Sequence, residues 1–302
     1  MQLRFLYRVS LFQEAWLEDG RVFYSITKDS RAIVNKSFLG FVLKDMPALS
    51  SGFIIEDVEH ASFSSSWEPV WGEESLIEES YNEMRLRIEE DGELKRHFYI
   101  TFRVFNDGFG FRYEFPEQEN LAEFVIMDEL TEFALADNHS SWSIPYDTEA
   151  YEALYREMPI NELDTVCTPL TMKCADGLHL AIHEANLTDY AAMNLHPLGN
   201  NTLKVYLTPW STGEKVFMSS PHTTPWRTMI IADNAAELML SRLMLNLNEP
   251  CRLEDTSWIK PGRYIGIWWA YHMKKHTWHE GPDHGATTEN TKRYIDFAAK
   301  HD

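Results

Sequence analysis

Residues 96–115, RHFYITFRVFNDGFGFRYEF, are two runs of alternating side chains separated by Asn106-Asp107-Gly108. Phe98, Ile100, Phe102 and Val104 alternate with Tyr99, Thr101 and Arg103. A period of two puts successive side chains on opposite faces of a strand, and a glycine that tolerates positive φ suits the turn between two of them. The same period recurs from residue 2 to about 233. In EMRLRIEE, Met84, Leu86 and Ile88 take one face and Arg85, Arg87 and Glu89 the other. RVFYSIT, FLGFVLKDM, EFVIM, LTMKC, LHLAIHE, NTLKVYLT and WRTMIIAD read as further strands. A dozen or more strands with few helices predict a mainly β fold, a large two-sheet sandwich that covers the apolar faces of both sheets.

The 302 residues allow one large or two ordinary domains, and 44% hydrophobic and 13% aromatic content supports a sizeable core. The formal charge of −20 repels a polyanion over most of the surface, so nucleic acid is not an expected partner. No apolar run reaches the roughly 18 residues of a membrane helix. MQLRFLYRVSLFQEAW is too short and too polar in its apolar part for a signal peptide. The three cysteines, Cys167, Cys174 and Cys251, form no paired CxxC spacing, and each is expected as a buried thiol.

The character changes after residue 233. NAAELMLSRLMLNL, residues 234–247, predicts a helix with Asn234 and Glu237 as a capping box. NEPCRLEDTSWIKPG, residues 248–262, reads as a connector. RYIGIWWAYHM is a continuous apolar run of the kind expected for a strand buried on both faces. ATTENTKRYIDFAAKH predicts a helix capped by Thr287 or Thr288, with Glu289 in its first turn, Lys300 and His301 in its last, and Tyr294, Ile295 and Ala298 on one face. The expected organisation is therefore a β domain over 1–247, a linker over 248–262, and a βα unit over 263–302.

Chemistry-bearing residues are sparse. Leu178, Leu180 and Ile182 share a strand face, and the same period puts Glu184 next in line. A carboxylate that continues an apolar row needs a cation or hydrogen-bond donors waiting for it. Two readings stand: the strand ends at His183 and Glu184 is a solvated loop acid, or Glu184 and Asn186 offer oxygens at i and i+2 to a hard cation such as calcium. His272, His276, His279 and His284 only loosely resemble zinc spacing, and loop histidines that bind polar ligand groups, or have no role, fit them better. Trp268 and Trp269, adjacent on a strand, would face opposite ways, one into the core and one toward a pocket. Trp67 and Trp71 could each stack on a sugar or fill the core. Glu73–Glu74 and Glu78–Glu79 are commonplace in so acidic a chain, and no nucleophile elbow, P-loop or dinucleotide fingerprint is present.

VFYSITKDSRAIVNKSFLGFVLKD, WEPVWGEES, FRVFNDGFGFRYEFPEQ, SSWSIPYDTEAYEALY, TPLTMK and HEANLTDYAAMNL, in that order, resemble the amino-terminal β-supersandwich of glycoside hydrolase family 97. GRYIGIWWAYHM and HGATTENTKRYIDFAAKH resemble the first strand and helix of its catalytic barrel. The resemblance implies a galactose mutarotase-like supersandwich followed by the start of a (β/α)8 barrel, within a family of calcium-dependent α-glucosidases and α-galactosidases. It implies that Glu184, in HEANL, is the one calcium ligand of this region, and that Trp269 and His272 belong to the sugar pocket with Asn186. The substrate so implied is an α-linked oligosaccharide, and the compartment periplasmic or extracellular. Glycoside hydrolysis uses two carboxyl groups, about 5–5.5 Å apart for retention and about 6.5–9.5 Å for inversion. In the family these groups lie on later barrel strands, so the chain is expected to be a partial gene product without activity of its own. A stand-alone carbohydrate-binding β-sandwich is the alternative.

Overall fold

The structure, a computed structural model, describes residues 2–6, 11–148 and 150–301, with the backbone alone for 2–6. The amino-terminal stretch read above as too polar for a leader lies partly outside the described residues. The chain divides into two compact units, one of residues 1–68 and 76–250, the other of residues 69–75 and 251–302.

The first unit is built of antiparallel sheets. A ten-stranded sheet runs in the order Arg156–Pro159, Ser140–Ser143, Leu170–Lys173, His179–Ala185, Trp226–Ala232, Gly108–Phe115, His97–Phe105, Ile77–Glu90 and Phe53–Trp67, with His222–Thr223 also paired to Gly108–Phe115. Three smaller sheets cover its inner face. The first is a four-stranded meander from Gln2–Leu6 to Arg31–Leu39. The second orders Val216–Ser219, Glu123–Glu129 and Phe41–Leu43, and the third orders Glu132–Ala134, Thr202–Leu207, Met193–Gly199 and Val166–Cys167.

The alternating rows close the sandwich. Tyr24 of the meander meets Phe102, Phe109 and Phe111 of the large sheet with ring centroids 6.1, 6.3 and 5.0 Å away. Phe41 packs edge-on to Tyr113 at 4.5 Å, and Phe133 reaches Phe111 at 6.3 Å. These rings are fully buried. Each contributes about 1.5–3 kcal/mol on leaving water, so this inner layer dominates the stability of the unit. The hairpin forms where the sequence puts it, with Phe105 paired to Gly108 across Asn106-Asp107. Gly108 sits at φ +154°, and a Cβ there would lie 2.2 Å from the Met229 carbonyl oxygen.

The outer face of the large sheet carries a second cluster, with Tyr81, Phe105, Ala181, Trp226 and Ile230 under Leu243 and Leu247. The helix expected over 234–247 is two short ones, α1 (Ala235–Leu240) and α2 (Leu243–Asn246). Asn234 caps α1 through the amides of Ala236 and Glu237, while Glu237 accepts from the Asp233 amide. The break falls at Ser241, whose ψ of 137° is extended. Its hydroxyl donates to Asp107 at 2.5 Å and accepts from the Leu243 amide at 3.2 Å, which turns α2 down onto the sheet. Of the cysteines, only Cys174 is fully buried; Cys167 is partly so, and Cys251 is exposed, contrary to expectation, because it lies in an irregular segment with no core beneath it.

The second unit differs from the expected pattern in one element. No strand forms over residues 261–267, and Trp268–His272 is instead a short helix, α3. A parallel strand exists only through the ladder it makes with neighbours, and among the described residues nothing pairs with this segment. The following helix, α4 (Thr288–His301), is where it was expected, with Thr287 as its cap: the Thr287 hydroxyl accepts from the Asn290 amide at 3.1 Å. Among the described residues no helix is long and apolar enough to cross a membrane.

Candidate functional site

On the strand His179–Ala185, Leu180 and Ile182 face the inner core while Ala181 and Ala185 face the outer cluster. Glu184 continues the inner row within the strand and is 8% exposed, so the reading of it as a solvated loop acid is ruled out. On the neighbouring strand Trp226–Ala232, Arg227 continues the inner row of Met229 and Ile231 in the same way. Register pairs Leu180 with Ile231, Ile182 with Met229 and Glu184 with Arg227. The anion and the cation that interrupt two apolar rows are therefore cross-strand partners, and Arg227 Nη1 donates to Glu184 Oε2 at 2.7 Å.

A third charge reaches the pair from the facing three-stranded sheet. Glu129, the last residue of Glu123–Glu129, accepts from Arg227 Nε at 2.8 Å and from Nη2 at 2.6 Å, a two-bond fork. Tyr190 adds its hydroxyl to Glu129 Oε2 at 3.1 Å. Glu129 and Arg227 have no exposed surface. Burial alone would lower the pKa of Arg227, but the adjacent charge of Glu129, then that of Glu184, outweighs it and holds the guanidinium protonated. Burial, then the charge of Glu129, pushes the Tyr190 hydroxyl well above its ordinary value, so it remains a donor.

Glu184 is less occupied. Its Oε1 accepts from the Met193 amide at 2.8 Å and its Oε2 from Arg227. A carboxylate offers about four acceptor positions, so roughly two remain on the one charged member of the cluster that reaches the surface. Two carboxylates against one guanidinium also leave one negative charge uncompensated. Both observations suit a cation held by Glu184. Among the described residues no three His, Cys, Asp or Glu side chains are arranged to hold a metal, so Glu184 would be a single contribution to such a site.

Asn186 follows immediately but has left the strand: its φ is +54°, and its amide donates to Asn248 Oδ1 at 2.9 Å. In the second unit Trp269 is 71% exposed and its ring lies 6.1 Å from that of His272. On a helix the two adjacent tryptophans do not face opposite ways as they would on a strand. Trp268 instead packs on Trp278 at 5.7 Å, and Trp278 stacks on Tyr271 at 4.0 Å. Trp67 donates through Nε1 to Asn246 at 3.0 Å, whereas Trp71 is 66% exposed.

Residues 7–250 match the family described as Glycosyl-hydrolase 97 N-terminal, and residues 268–302 match Glycoside hydrolase 97. The chain belongs to glycoside hydrolase family 97. A family 97 enzyme from Pseudoalteromonas sp. strain K8, solved in complex with panose and with acarbose, superposes with a TM-score of 0.89 at 40% identity over 97% of this chain and 45% of that one. A retaining alpha-galactosidase of Bacteroides thetaiotaomicron is 22% identical over 92% of this chain and 45% of its own length. A probable retaining alpha-galactosidase of Streptomyces bingchenggensis is 25% identical over 93% and 41% respectively. A beta-arabinopyranosidase at 18% identity and a TM-score of 0.67 shares the fold. The chain thus spans less than half the length of these family 97 relatives, and it corresponds to the amino-terminal portion of the family.

Proposed function

We propose that this family 97 chain is the amino-terminal part of a calcium-dependent, exo-acting α-glycosidase, an α-glucosidase or α-galactosidase of the periplasm or cell exterior that hydrolyses α-linked oligosaccharides. Its parts are a supersandwich over 1–247, a linker over 248–262 and the opening of a (β/α)8 barrel over 263–302. The observation that carries the reading is Glu184: a nearly buried carboxylate with spare acceptor positions, inside a cluster that holds one negative charge too many. A carboxylate oxygen is the donor type a hard cation selects.

Glu184 would hold the calcium ion, whose positive charge, when bound, polarises an oxygen of the substrate. The chain's own groups do the rest of the work assigned to it. The Met193 amide and Arg227 fix the Glu184 carboxylate. Trp269 offers an exposed aromatic face to a sugar ring, and His272 beside it offers a ring nitrogen to a hydroxyl. Asn186, turned out of the strand, presents an amide side chain to the same class of ligand. The catalytic carboxylates are not assigned to any residue of this chain, which is expected to be inactive alone.

Saturation-transfer NMR with panose and raffinose tests the sugar assignment. Binding that falls at least severalfold in Trp269→Ala and in His272→Ala is expected. Binding equal to wild type in both variants, or surviving deletion of residues 260–302, would replace this reading with a stand-alone carbohydrate-binding sandwich.

A further inference from the structure

The cluster around Arg227 contains more anion than a structural ion pair requires. A guanidinium fork is satisfied by one carboxylate, and Glu129 already takes it with bonds of 2.8 and 2.6 Å. Adding Glu184 leaves a buried excess charge, which is unfavourable unless another cation takes it up. The division of bonds is unequal. Glu129 accepts three donors, two from Arg227 and one from Tyr190, and has no exposed surface. Glu184 accepts one bond from Arg227 and one from the Met193 amide, and it alone of the charged members is not wholly enclosed.

We infer that Glu129 is a positioning residue for the cation site: by engaging the fork of Arg227 it keeps the guanidinium from pairing fully with Glu184, leaving that carboxylate the charge and free lone pairs to receive a divalent cation. The inference rests on the reading of Glu184 as the calcium ligand. Glu129 is not itself assigned as a ligand of the divalent cation. It acts through Arg227, which without it would turn its two-bond face to Glu184 and neutralise the ligand. Tyr190 supports this by donating to Glu129 Oε2 at 3.1 Å, with a hydroxyl that burial and the charge of Glu129 keep protonated.

Terbium(III), a luminescent stand-in for calcium sensitised by aromatic side chains, is titrated into the 302-residue chain, its Glu184→Gln variant, Glu129→Gln and Glu129→Asp. The component of the signal lost in Glu184→Gln, and displaced by calcium, reports the site. Removing partners that orient a ligand typically costs 10–100-fold in metal affinity, so Glu129→Gln is expected to raise the apparent Kd about tenfold or more. Glu129→Asp, which keeps the charge and shortens the reach, moves it in the same direction by a smaller factor. A purely structural ion pair would lower the melting temperature of the variants without moving the Kd of the folded protein. An unchanged Kd in folded Glu129→Gln, or in folded Glu129→Asp should the first variant not fold, overturns the inference and leaves Glu184 as a ligand. A Glu184→Gln titration identical to wild type overturns the calcium reading itself and the inference with it.

Discussion

Arg227 sits between two carboxylates with no exposed surface of its own, and its stability value is small for its strength. The desolvation of a buried ion pair largely offsets its attraction, so the cluster does not persist because it stabilises the fold. What it does is fix three charges at one point of the inner face. Of this cluster only Glu184 was legible in the sequence, because it falls in register with Leu180 and Ile182. Arg227 was missed, although it breaks the row of Met229 and Ile231 by the same rule. Glu129 was not legible, because the register of its strand shifts between Ile126 and Asp128 and reverses which residues face inward. Elsewhere, Lys44 donates to Glu214 at 2.6 Å, and this hydrogen bond, with others from Thr212 and the Glu214 backbone, lowers the Glu214 pKa to about 2. A carboxylate whose folded pKa is depressed adds stability above its unfolded pKa of 4.5, and that contribution is lost as pH falls from there toward about 2. Urea unfolding across that window should therefore show a shallower acid loss in Glu214→Gln than in wild type. Equal slopes would mean that solvent around the half-exposed Lys44 screens the pair completely.

Elements were readable wherever one local rule settled them. The alternating runs became strands, Asn234 and Glu237 became a cap, and Thr287 started α4, since each depends only on near neighbours in sequence. The break at Ser241 depends on Asp107, 134 positions away, and the missing strand over 261–267 depends on ladder partners. No local pattern encodes either. The hairpin at Asn106-Asp107 illustrates the strongest local constraint. Gly108 lies against the Met229 carbonyl where a Cβ would come within 2.2 Å, and its φ of +154° disfavours other residues. Gly108→Ala should cost about 1–3 kcal/mol or more, read as a drop in the urea midpoint, through overpacking and backbone strain together. A midpoint unchanged from wild type would show that the strand Trp226–Ala232 shifts freely away from the hairpin.

At the scale of the molecule, the two units are unlike in kind. The first has a continuous aromatic and aliphatic core between sheets. In the second, Tyr264, Trp269, Trp258 and Ile295 are exposed, and Asn290 is the one buried residue of α4. An amphipathic helix gains its stability chiefly from a packed apolar face, and α4 has none within its own unit. The sandwich class was legible because the period and the aromatic content both require two covered faces. The state of residues 261–267 was not, since a parallel strand there would need ladder partners. On the proposed reading this family 97 chain supplies support, one cation ligand and part of the sugar contacts, and none of its residues carries hydrolysis. The direct measurement is release of nitrophenol from 4-nitrophenyl α-glucoside and α-galactoside by the purified 302-residue chain in millimolar calcium. No release above the uncatalysed rate is expected from either substrate, and turnover that co-purifies with the chain would contradict the account.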